Sequence, residues 1–464
     1  MTVKKGQTVE LDVMDVAFGG KGLARVDGMA VFVDGAVAGD RVLARVFKRR
    51  KQYAEARVLE VLHPSADRIL PPCPYSGVCG GCKWQHLAYP RQLDYKRRHV
   101  AETLAHVGGL TGIPVHPAIA AGPTFGYRNK MEFSCTDRRW RMPEELGRDG
   151  GSPEFALGLH VPGAFDRVLD IEACLLMPPS GNPILGRIRD GIRASGLPPY
   201  GLRSHRGFWR FVMLRHSLAE DRWLVNIVTA EENRGAVQPL ADRLLADFDG
   251  IAGVVNNITD RPAAIAVGQF ERTLAGNPVL RDRIGPWEFE ISANSFFQTN
   301  TRGAARLYET VQRYAGLNGT QTVLDLYSGT GTIPIFLSPA ARQVLGIEIV
   351  ASAVADARRN CERNGVTNCH FIEGDIRTVI AGLDIRPQVV VVDPPRAGMH
   401  ADVAARLLAL ASPRIVYVSC NPATLARDLG LLAEAYHVAE VQPVDMFPHT
   451  FHIEAVARLE RKNG

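Results

Sequence analysis

The chain has 464 residues, of which 46% are hydrophobic and 22% charged, which is ordinary globular usage and enough for two or three domains. No apolar run reaches the roughly 18–20 residues that a membrane helix needs, which argues against a membrane protein. The net charge of +5 is mildly basic and decides little about function by itself. The opening residues Met1–Lys5 lead into polar sequence without an apolar signal segment, so a soluble cytoplasmic protein is expected.

The first 62 residues are predicted to form a small all-β domain. Short strands are indicated at Val9–Val13, Ala30–Val33 and Arg41–Val46, with glycine-containing turns between them. Such strands suit a small barrel, and such barrels often bind nucleic acid. The segment resembles a TRAM domain, which implies an RNA-binding barrel. A dense run of basic residues between Arg41 and Arg57 is either a solvated loop or a surface that contacts phosphates.

Residues 63–290 are predicted to form a central domain of mixed α+β structure. Four prolines between positions 64 and 74 mark a linker. The pattern over about 88–108 predicts a helix, which can pack on the C-terminal domain. Tyr127–Lys130 and Arg138–Arg141 mix basic and aromatic residues. Such mixtures suit contacts to an RNA backbone and its bases, although they are also common in surface strands and loops.

Four of the eight cysteines form a pattern that suggests a metal site. Cys73, Cys79 and Cys82 lie close together along the chain, and Cys174 is available as a distant fourth ligand. Four thiolates bind zinc or an iron–sulfur cluster. Zinc favours two Cys-x-x-Cys knuckles, whereas this chain has one. The pattern by itself leaves a cluster, zinc and no metal as alternatives.

Residues 291–464 are predicted to form an α/β domain with a mostly parallel sheet. Apolar segments indicate strands at 322–326, 343–348, 369–373, 389–393 and 415–419. Helical stretches separate these strands. Ligands of such open sheets bind at the carboxyl ends of the strands, so the polar residues that follow each strand are the candidate site.

These strand ends carry a series of glycine and carboxylate residues that suits a nucleoside-containing ligand. The first strand runs into a glycine-rich turn, Gly329–Gly331, which lets the backbone approach a ligand closely. Glu348 ends the next strand and can accept hydrogen bonds from both ribose hydroxyls, Asp375 follows the third, and Asp393 ends the fourth. A nicotinamide site would normally have a third glycine at the position of Pro334. The series resembles class I S-adenosylmethionine-dependent methyltransferases, with a Rossmann-like fold and S-adenosylmethionine as the implied cofactor.

A thiol follows the strand at 415–419, which raises the question of what it attacks. Cys420 is a candidate nucleophile, because a thiolate reacts readily when its pKa is lowered or a base is near. A thiolate that adds to C6 of a pyrimidine makes C5 nucleophilic enough to accept a methyl group. A base must then remove the C5 proton, and Glu454 in the last strand-like segment is the candidate. On its own, such a glutamate is more often an exposed ion-pair partner.

Four motifs together resemble the RNA uracil-5-methyltransferase family, and the resemblance covers nearly the whole chain. They are the segments Asn294–Asn300, Asp393–Arg396, Ser419–Thr424 and His449–Glu454. In sequence they read NSFFQTN, DPPR, SCNPAT and HTFHIE.

The resemblance implies a role for each matching residue. Cys420 would be the nucleophile, Glu454 the proton-abstracting base, and Phe296 a stacking partner in the substrate pocket. The implied contacts to S-adenosylmethionine are Gln298, Tyr327, Glu348 and Asp393, with Thr332 and Asp375 as weaker assignments. The implied [4Fe–4S] ligands are Cys73, Cys79, Cys82 and Cys174.

The identity of the RNA substrate is indicated by the combination of domains and cysteines. The TRAM-like segment together with the four cysteines resembles the enzymes of large-subunit ribosomal RNA, so 23S ribosomal RNA is the expected partner. Transfer RNA is the alternative, since some relatives with both features act on it. An RNA cytosine-5-methyltransferase is less favoured, because its motif reads Thr-Cys-Ser or Pro-Cys. A non-catalytic RNA-binding or redox-sensing protein is disfavoured by Cys420 and Glu454. No membrane and no obligate protein partner is implied.

Overall fold

The structure is a computed structural model that describes residues 3–145, 155–263 and 266–462. Its contacts divide the chain into two compact units. Unit 1 comprises Met1–Gly77, Cys82–Gly122 and Gly303–Gly464. Unit 2 comprises Val78–Gly81 and Pro123–Arg302. No helix among the described residues is long and apolar enough to cross a membrane.

The N-terminal part of unit 1 is a six-stranded sheet. Its strands are Thr8–Asp12 (β1), Asp15–Val16 (β2), Gly22–Val26 (β3), Met29–Asp34 (β4), Arg41–Arg49 (β5) and Tyr53–His63 (β6). The order is β1-β5-β6-β4-β3-β2, and β4 pairs with β6 in parallel. Strand β5 alternates inward and outward residues, and Val42, Ala44 and Val46 face the core at 0% exposure. The three strands expected from the sequence in this segment are present.

A long helix follows this sheet. Helix α1 spans Tyr89–Gly108, begins with a proline in its first turn, and ends at Gly109 in the left-handed conformation that glycine adopts without cost. Trp84, Leu87 and Tyr95 pack with valines of the N-terminal sheet in one small core. Near its end α1 lies so close to the C-terminal domain that a Cβ on Gly108 would meet the Ala426 carbonyl oxygen at 2.7 Å.

Unit 2 contains most of the central region. Its strands are Lys130–Thr136 (β7), Arg139–Trp140 (β8), Ala156–His160 (β9), Val168–Asp170 (β10), Trp209–Ser217 (β11), Arg222–Thr229 (β12), Ile251–Ile258 (β13), Phe270–Gly276 (β14), Val279–Ile284 (β15) and Trp287–Ser292 (β16). Its helices are Gly181–Ala194 (α2) and Arg234–Asp247 (α3). Eight strands form one mixed sheet in the order β14-β13-β12-β11-β7-β9-β10-β8, and β15 pairs with β16.

The C-terminal part of unit 1 is an α/β layer structure. Its strands are Thr322–Leu326 (β17), Gln343–Glu348 (β18), Cys369–Glu373 (β19), Val389–Val392 (β20), Arg414–Ser419 (β21), Tyr436–Val444 (β22) and Glu454–Arg461 (β23). Its helices are Thr301–Ala315 (α4), Thr332–Leu337 (α5), Ala351–Arg363 (α6), Ile376–Val379 (α7), Ala401–Leu410 (α8) and Pro422–Leu432 (α9). Short 3-10 turns lie at Pro143–Glu145, Ser338–Ala340 and Ile380–Gly382.

The seven strands follow the order β19-β18-β17-β20-β21-β23-β22, in which β17 to β21 are parallel and β23 is antiparallel to both neighbours. Strands β17 and β20 are buried along their whole length, which explains their continuous apolar sequences. The order in which strands are added to the sheet reverses between β17 and β20: β18 and β19 lie on one side of β17, and β20 and β21 lie on the other. Such a switch point opens a crevice at the carboxyl ends of the strands, where ligands of open α/β sheets bind.

Candidate active site

The glycine-rich turn after β17 adopts backbone conformations that its sequence was expected to need. Tyr327, Gly329 and Gly331 all have positive φ angles, of 66°, 52° and 78°. A Cβ on Gly331 would lie 2.9 Å from a side-chain atom of Phe371, whereas a Cβ on Gly329 would meet nothing within 4 Å. Gly331 is therefore required for packing, and Gly329 borders open space in which a ligand can approach the backbone.

Glu348 holds this turn through its side chain. Its Oε2 accepts a hydrogen bond from the Gly329 N–H at 2.9 Å, and its Oε1 accepts one from the Val350 N–H at 2.8 Å. Each carboxylate oxygen keeps further lone-pair capacity, which ribose hydroxyls can use. A surface cavity brings this residue together with two other predicted contacts. Its lining residues are Tyr327, Glu348, Ile349, Asp375, Ile376, Arg377, His400 and Val403.

Asp375 caps helix α7 and is paired with a neighbouring cation. Its carboxylate accepts from the Arg377 backbone N–H at 2.9 Å and pairs with the Arg377 guanidinium at 2.5 Å. This arginine lowers the pKa of Asp375 to about 2, so the group is a carboxylate at neutral pH. Thr332 is the first residue of α5, and its hydroxyl lies 3.1 Å from the hydroxyl of Tyr308.

Asp325 is a candidate residue that sequence reasoning missed. It lies within β17 at 1% exposure, and neither carboxyl oxygen has a hydrogen-bond partner. Burial raises its pKa well above the usual range, and Asp393 and Glu348 add to the rise. A carboxyl that interrupts an otherwise apolar strand was the available signal, because an unsatisfied buried acid is costly unless a ligand or a neighbouring group uses it.

The predicted nucleophile and base lie on neighbouring strands. Strands β21 and β23 pair in antiparallel register up to Ser419 and Ala455. Cys420 directly follows Ser419 and Glu454 directly precedes Ala455, so the two occupy the next facing position at this edge of the sheet. Both residues are half-buried. Two residues that are 34 positions apart in the sequence therefore face each other on neighbouring strands.

A few charged groups at this edge of the sheet influence one another's pKa. Burial raises the pKa of Glu454 to about 8; Asp393 adds to the rise, and Arg396 and Lys96 oppose it. Burial also raises the pKa of Asp393 to about 6. The pKa of the Cys420 thiol is raised by burial and by Glu454, and Arg396 acts in the opposite direction. Groups that are balanced between two protonation states near neutral pH are typical of acid–base sites.

Arg396 had no role assigned from the sequence, although it lies in one of the motifs. Its carbonyl oxygen accepts from the Asn421 side-chain amide at 3.2 Å, which joins its loop to the loop that carries Cys420. Its guanidinium lies 2.9 Å from Nδ1 of His452. Asn421 in turn caps helix α9 by accepting from the Ala423 N–H. The loops that follow β20 and β21 are therefore held together.

Phe296 and Gln298 belong to unit 2, in the segment between β16 and α4. The Phe296 ring is 69% exposed, which is unusual for a large apolar side chain and suits a stacking role. The Gln298 carbonyl oxygen accepts from the Asn129 side-chain amide at 2.8 Å, and the Asn129 N–H donates to the Thr299 carbonyl at 2.9 Å. Both contacts hold the backbone of this segment, which leaves the Gln298 side chain to other partners.

The four-cysteine prediction receives no support from the geometry. Cys73 and Cys82 belong to unit 1, and Cys79 and Cys174 to unit 2. Across the part of the chain that the structure describes, no group of three or more histidine, cysteine, aspartate or glutamate residues is placed to hold a metal ion. The Gly81 N–H donates to the Cys79 sulfur at 3.4 Å. The iron–sulfur cluster therefore stays a prediction.

The basic face of the N-terminal sheet is exposed along β5 and β6. Arg45, Arg49 and Arg57 are exposed, whereas Lys48 is half-buried and pairs with Glu55. A shallow cleft on this surface mixes basic and apolar side chains. Its lining residues are Lys5, Gly6, Arg45, Val46, Phe47, Arg57 and Leu59. Solvated arginines beside exposed apolar groups suit phosphate contacts and base stacking.

Family models match two parts of the chain. The model described as tRNA (uracil-5-)-methyltransferase matches residues 281–462, and the TRAM domain model matches residues 2–59. The matches confirm the TRAM domain expected at the N-terminus. The first match contains Cys420, Glu454 and the glycine-rich turn.

Relatives match over almost the full length. A protein of Chlorobaculum tepidum named uncharacterized RNA methyltransferase is 43% identical over 469 residues, which is 99% of this chain and 97% of the relative. A protein of Nitratidesulfovibrio vulgaris with the same name is 38% identical over 470 residues, 99% of this chain and 97% of that relative.

A solved structure also matches this chain over nearly its full length. The crystal structure of Pyrococcus abyssi tRNA (uracil-54, C5)-methyltransferase, in complex with S-adenosyl-L-homocysteine, is 28% identical and has a TM-score of 0.77. The match covers 97% of this chain and 99% of that one. The predicted S-adenosylmethionine-dependent methyltransferase fold is thereby confirmed. Since the sequence identity to RNA methyltransferases extends over nearly the whole chain, the chain belongs to the family of S-adenosylmethionine-dependent RNA (uracil-5-)-methyltransferases.

Proposed function

We propose that this enzyme methylates carbon C5 of a uridine in RNA through a covalent adduct on Cys420. The observation that carries the proposal is the register of β21 and β23, which brings Cys420 and Glu454 to facing positions. A half-buried thiol opposite a half-buried carboxyl, with a guanidinium acting on both, supports a nucleophile and a base in one site.

The Cys420 thiolate adds to C6 of the uracil, and the electron pair of the C5–C6 double bond moves toward C5 and the C4 carbonyl. Arg396 favours the thiolate because it opposes the rise in the pKa of the Cys420 thiol that burial and Glu454 cause. S-adenosylmethionine, when bound, supplies the methyl group that C5 takes up. The Glu454 carboxylate removes the C5 proton, the double bond re-forms, and the C6–S bond breaks to return the thiolate.

The residues of unit 1 fit a nucleoside ligand that also carries positive charge. Gly329 borders open space, Glu348 has spare acceptor capacity for ribose hydroxyls, and the buried Asp325 carboxyl suits a cationic group. We assign the donor to these groups and to the contacts expected from the sequence. Those contacts are Gln298, Tyr327, Thr332, Glu348, Asp375 and Asp393.

The RNA that we favour is 23S ribosomal RNA. The reason is the combination of a TRAM domain with the four-cysteine pattern, which resembles the enzymes of large-subunit ribosomal RNA. A uridine inside folded RNA must be splayed out before a protein can reach its C5 and C6 atoms. We assign the exposed Phe296 ring to stacking on that base, and the basic face of β5 and β6 to the flanking phosphates.

Transfer RNA is the second candidate, and one comparison favours it. The Pyrococcus abyssi enzyme, at 28% identity and nearly full coverage, is a tRNA (uracil-54, C5)-methyltransferase. The chemistry at Cys420 and Glu454 would be the same for either RNA. The choice between the two depends on RNA contacts outside the reacting groups.

An iron–sulfur cluster is a separate proposal that rests on the resemblance of the four-cysteine pattern to that of the TRAM-containing members of the family. No step of the mechanism uses it, and its proposed ligands are Cys73, Cys79, Cys82 and Cys174. Iron and acid-labile sulfide, measured after purification without oxygen, should be present in equal amounts in a brown protein. Stoichiometric zinc, or a colourless protein without metal, would contradict the cluster.

The reaction and the substrate can be tested together. Purified protein and labelled S-adenosylmethionine would be incubated with total RNA that lacks 5-methyluridine, and ribosomal and transfer RNA would then be separated. Nuclease digestion and mass spectrometry identify the labelled nucleoside and its position. Cys420→Ala is the matched control, since it removes one sulfur and leaves the loops intact.

We expect label as 5-methyluridine in 23S ribosomal RNA, absent with the control. Label in transfer RNA would keep the chemistry and replace the substrate. Label as 5-methylcytidine would overturn the assignment of the base, and equal label from the Cys420→Ala control would overturn the covalent mechanism.

A further inference from the structure

A buried lysine is bound to the loop that leads to the proposed base and has no part in the steps above. The Lys96 side chain, on α1, is 0% exposed. Its Nζ lies 2.6 Å from Oδ1 of Asp445, whose side chain is also 0% exposed, and it donates to the Phe447 carbonyl at 3.0 Å. A buried ammonium is costly unless it is paired and hydrogen-bonded, and these two contacts meet that requirement.

Asp445 and Phe447 lie in the loop that leads from β22 to Glu454, the first residue of β23. Asp445 also accepts from the Tyr89 hydroxyl at 2.8 Å and from the Phe447 N–H at 3.0 Å. The start of the loop is therefore bound to α1 through side chains that are 349 residues apart along the chain.

The same helix holds the middle of the loop at a strained position. His449 has a positive φ of 63°, which is uncommon for a residue with a side chain. Gln92 of α1 accepts from the His449 N–H at 2.8 Å, and its amide lies 3.2 Å from His449 Nδ1. The Lys83 and Trp84 N–H groups donate to the His449 carbonyl. Several hydrogen bonds therefore hold the conformation of the loop that ends at the proposed base.

We propose that Lys96 is a positioning residue for Glu454: it fixes the loop from Asp445 to Glu454 and adds a buried positive charge at that loop, which favours the ionised form of the base before it takes up the C5 proton. The proposal rests on the proposed function, because it takes Glu454 as that base. Because its side chain is 0% exposed, Lys96 is placed to act through the loop and its charge.

The charged and titratable groups that act with Glu454 come from three other elements. Asp393 and Arg396 follow β20, Cys420 follows β21, and Lys96 comes from α1. Asp393 raises the pKa of Glu454, while Arg396 and Lys96 lower it. Removal of the Lys96 charge should raise that pKa further, so the ionised fraction at neutral pH falls and the pH at which proton removal becomes fast moves upward.

The test separates loop support from charge. Lys96→Met removes the ammonium but keeps the length of the side chain, and leaves Asp445 buried without a cation. The double variant Lys96→Met/Asp445→Asn removes both charges, while the asparagine retains an acceptor for the Phe447 N–H. Arg97→Met is the matched control, since Arg97 is exposed on the same helix and its loss also removes one positive charge.

The readout is a single turnover with labelled RNA and S-adenosylmethionine, followed on denaturing gels over a range of pH. The rate at which the methylated adduct forms is recorded separately from the rate at which it decays. We expect the double variant to fold and to form the adduct, but to release it about tenfold more slowly at neutral pH, equivalent to one unit of pKa. Its rate–pH curve should move to higher pH, and Arg97→Met should match wild type.

Wild-type decay and an unchanged pH profile in the double variant would overturn the proposal, because Lys96 would then serve only to balance Asp445. A lower rate of adduct formation with normal decay would also overturn it. The failure of the proposed function looks different: wild-type protein would then form no 5-methyluridine and no adduct.

Discussion

The carboxyl edge of the seven-stranded sheet and the basic face of the N-terminal sheet use charge in opposite ways. At the sheet edge, burial raises the pKa of Glu454 to about 8 and that of Asp393 to about 6. On the basic face, Arg45 and Arg57 are exposed, and Glu55, paired with Lys21 and Lys48, has a lowered pKa.

The difference matches the role that we propose for each region. A group that takes up and gives back a proton must be balanced near neutral pH, which requires partial removal from water. Groups that contact phosphates need a permanent charge and are best left solvated, since each contributes a small, salt-dependent part of the binding free energy. Single substitutions at the sheet edge should therefore have large, specific effects, and those on the basic face small, additive ones.

The largest effect is expected from Cys420→Ala. Loss of the nucleophile should lower methyl transfer by at least about 10³-fold. RNA with 5-fluorouridine at the target, which cannot lose the C5 substituent as a proton, should trap a stable adduct with wild type and none with the variant. Calorimetric binding of S-adenosylmethionine to both proteins is the folding control. An adduct formed by the variant would remove Cys420 from the mechanism.

Glu454→Gln should separate methyl transfer from release. The glutamine is nearly the same size, but cannot accept the C5 proton, so turnover should fall by about 10²-fold or more while the adduct accumulates. Denaturing gels with labelled RNA measure both quantities. Slow turnover without accumulated adduct would instead assign Glu454 to an earlier step, and the raised pKa would have no role in release.

Glu348→Ala should weaken the donor site by a smaller factor. The carboxylate holds the Gly329 N–H and is assigned to the ribose hydroxyls, so its loss should raise the Kd for S-adenosylmethionine about 10- to 100-fold. Calorimetry with S-adenosylmethionine and S-adenosylhomocysteine measures the change. Thr378→Ala is a control that should change the Kd little, since the exposed Thr378 hydroxyl donates to the Asp375 backbone carbonyl and not to its carboxylate. An unchanged Kd in Glu348→Ala would place the ribose elsewhere.

The smallest effects are expected on the basic face. Arg45→Ala and Arg57→Ala should each weaken RNA binding several-fold, and together lower the slope of log K against log salt by about 1.5. The rate of the chemical step at saturating RNA should not change. Titration at four salt concentrations tests this. Arg342→Ala is a control away from this face, since Arg342 hydrogen-bonds Thr322, the first residue of β17. A changed chemical step with an unchanged salt slope would contradict the contrast between the two regions.

Much of the C-terminal domain could be predicted from the sequence. The strands expected at 322–326, 343–348 and 369–373 coincide with β17, β18 and β19. They were recognisable because a parallel strand covered on both faces is apolar along its whole length and ends sharply in glycine or polar residues. The central region was harder, because its eight-stranded sheet joins segments far apart along the chain, and its strands alternate with loops of similar composition.

The sequence alone determined the chemistry that is available: a thiol and carboxylates after buried strands, a glycine-rich turn, and motifs shared with one family of RNA methyltransferases. Only the tertiary structure decided which groups act on one another. It set Cys420 opposite Glu454, left the Asp325 carboxyl buried without a partner, and brought Lys96 from α1 to the loop before the base. Local patterns follow from neighbours along the chain, whereas burial and the pKa of a group depend on every element that packs around it.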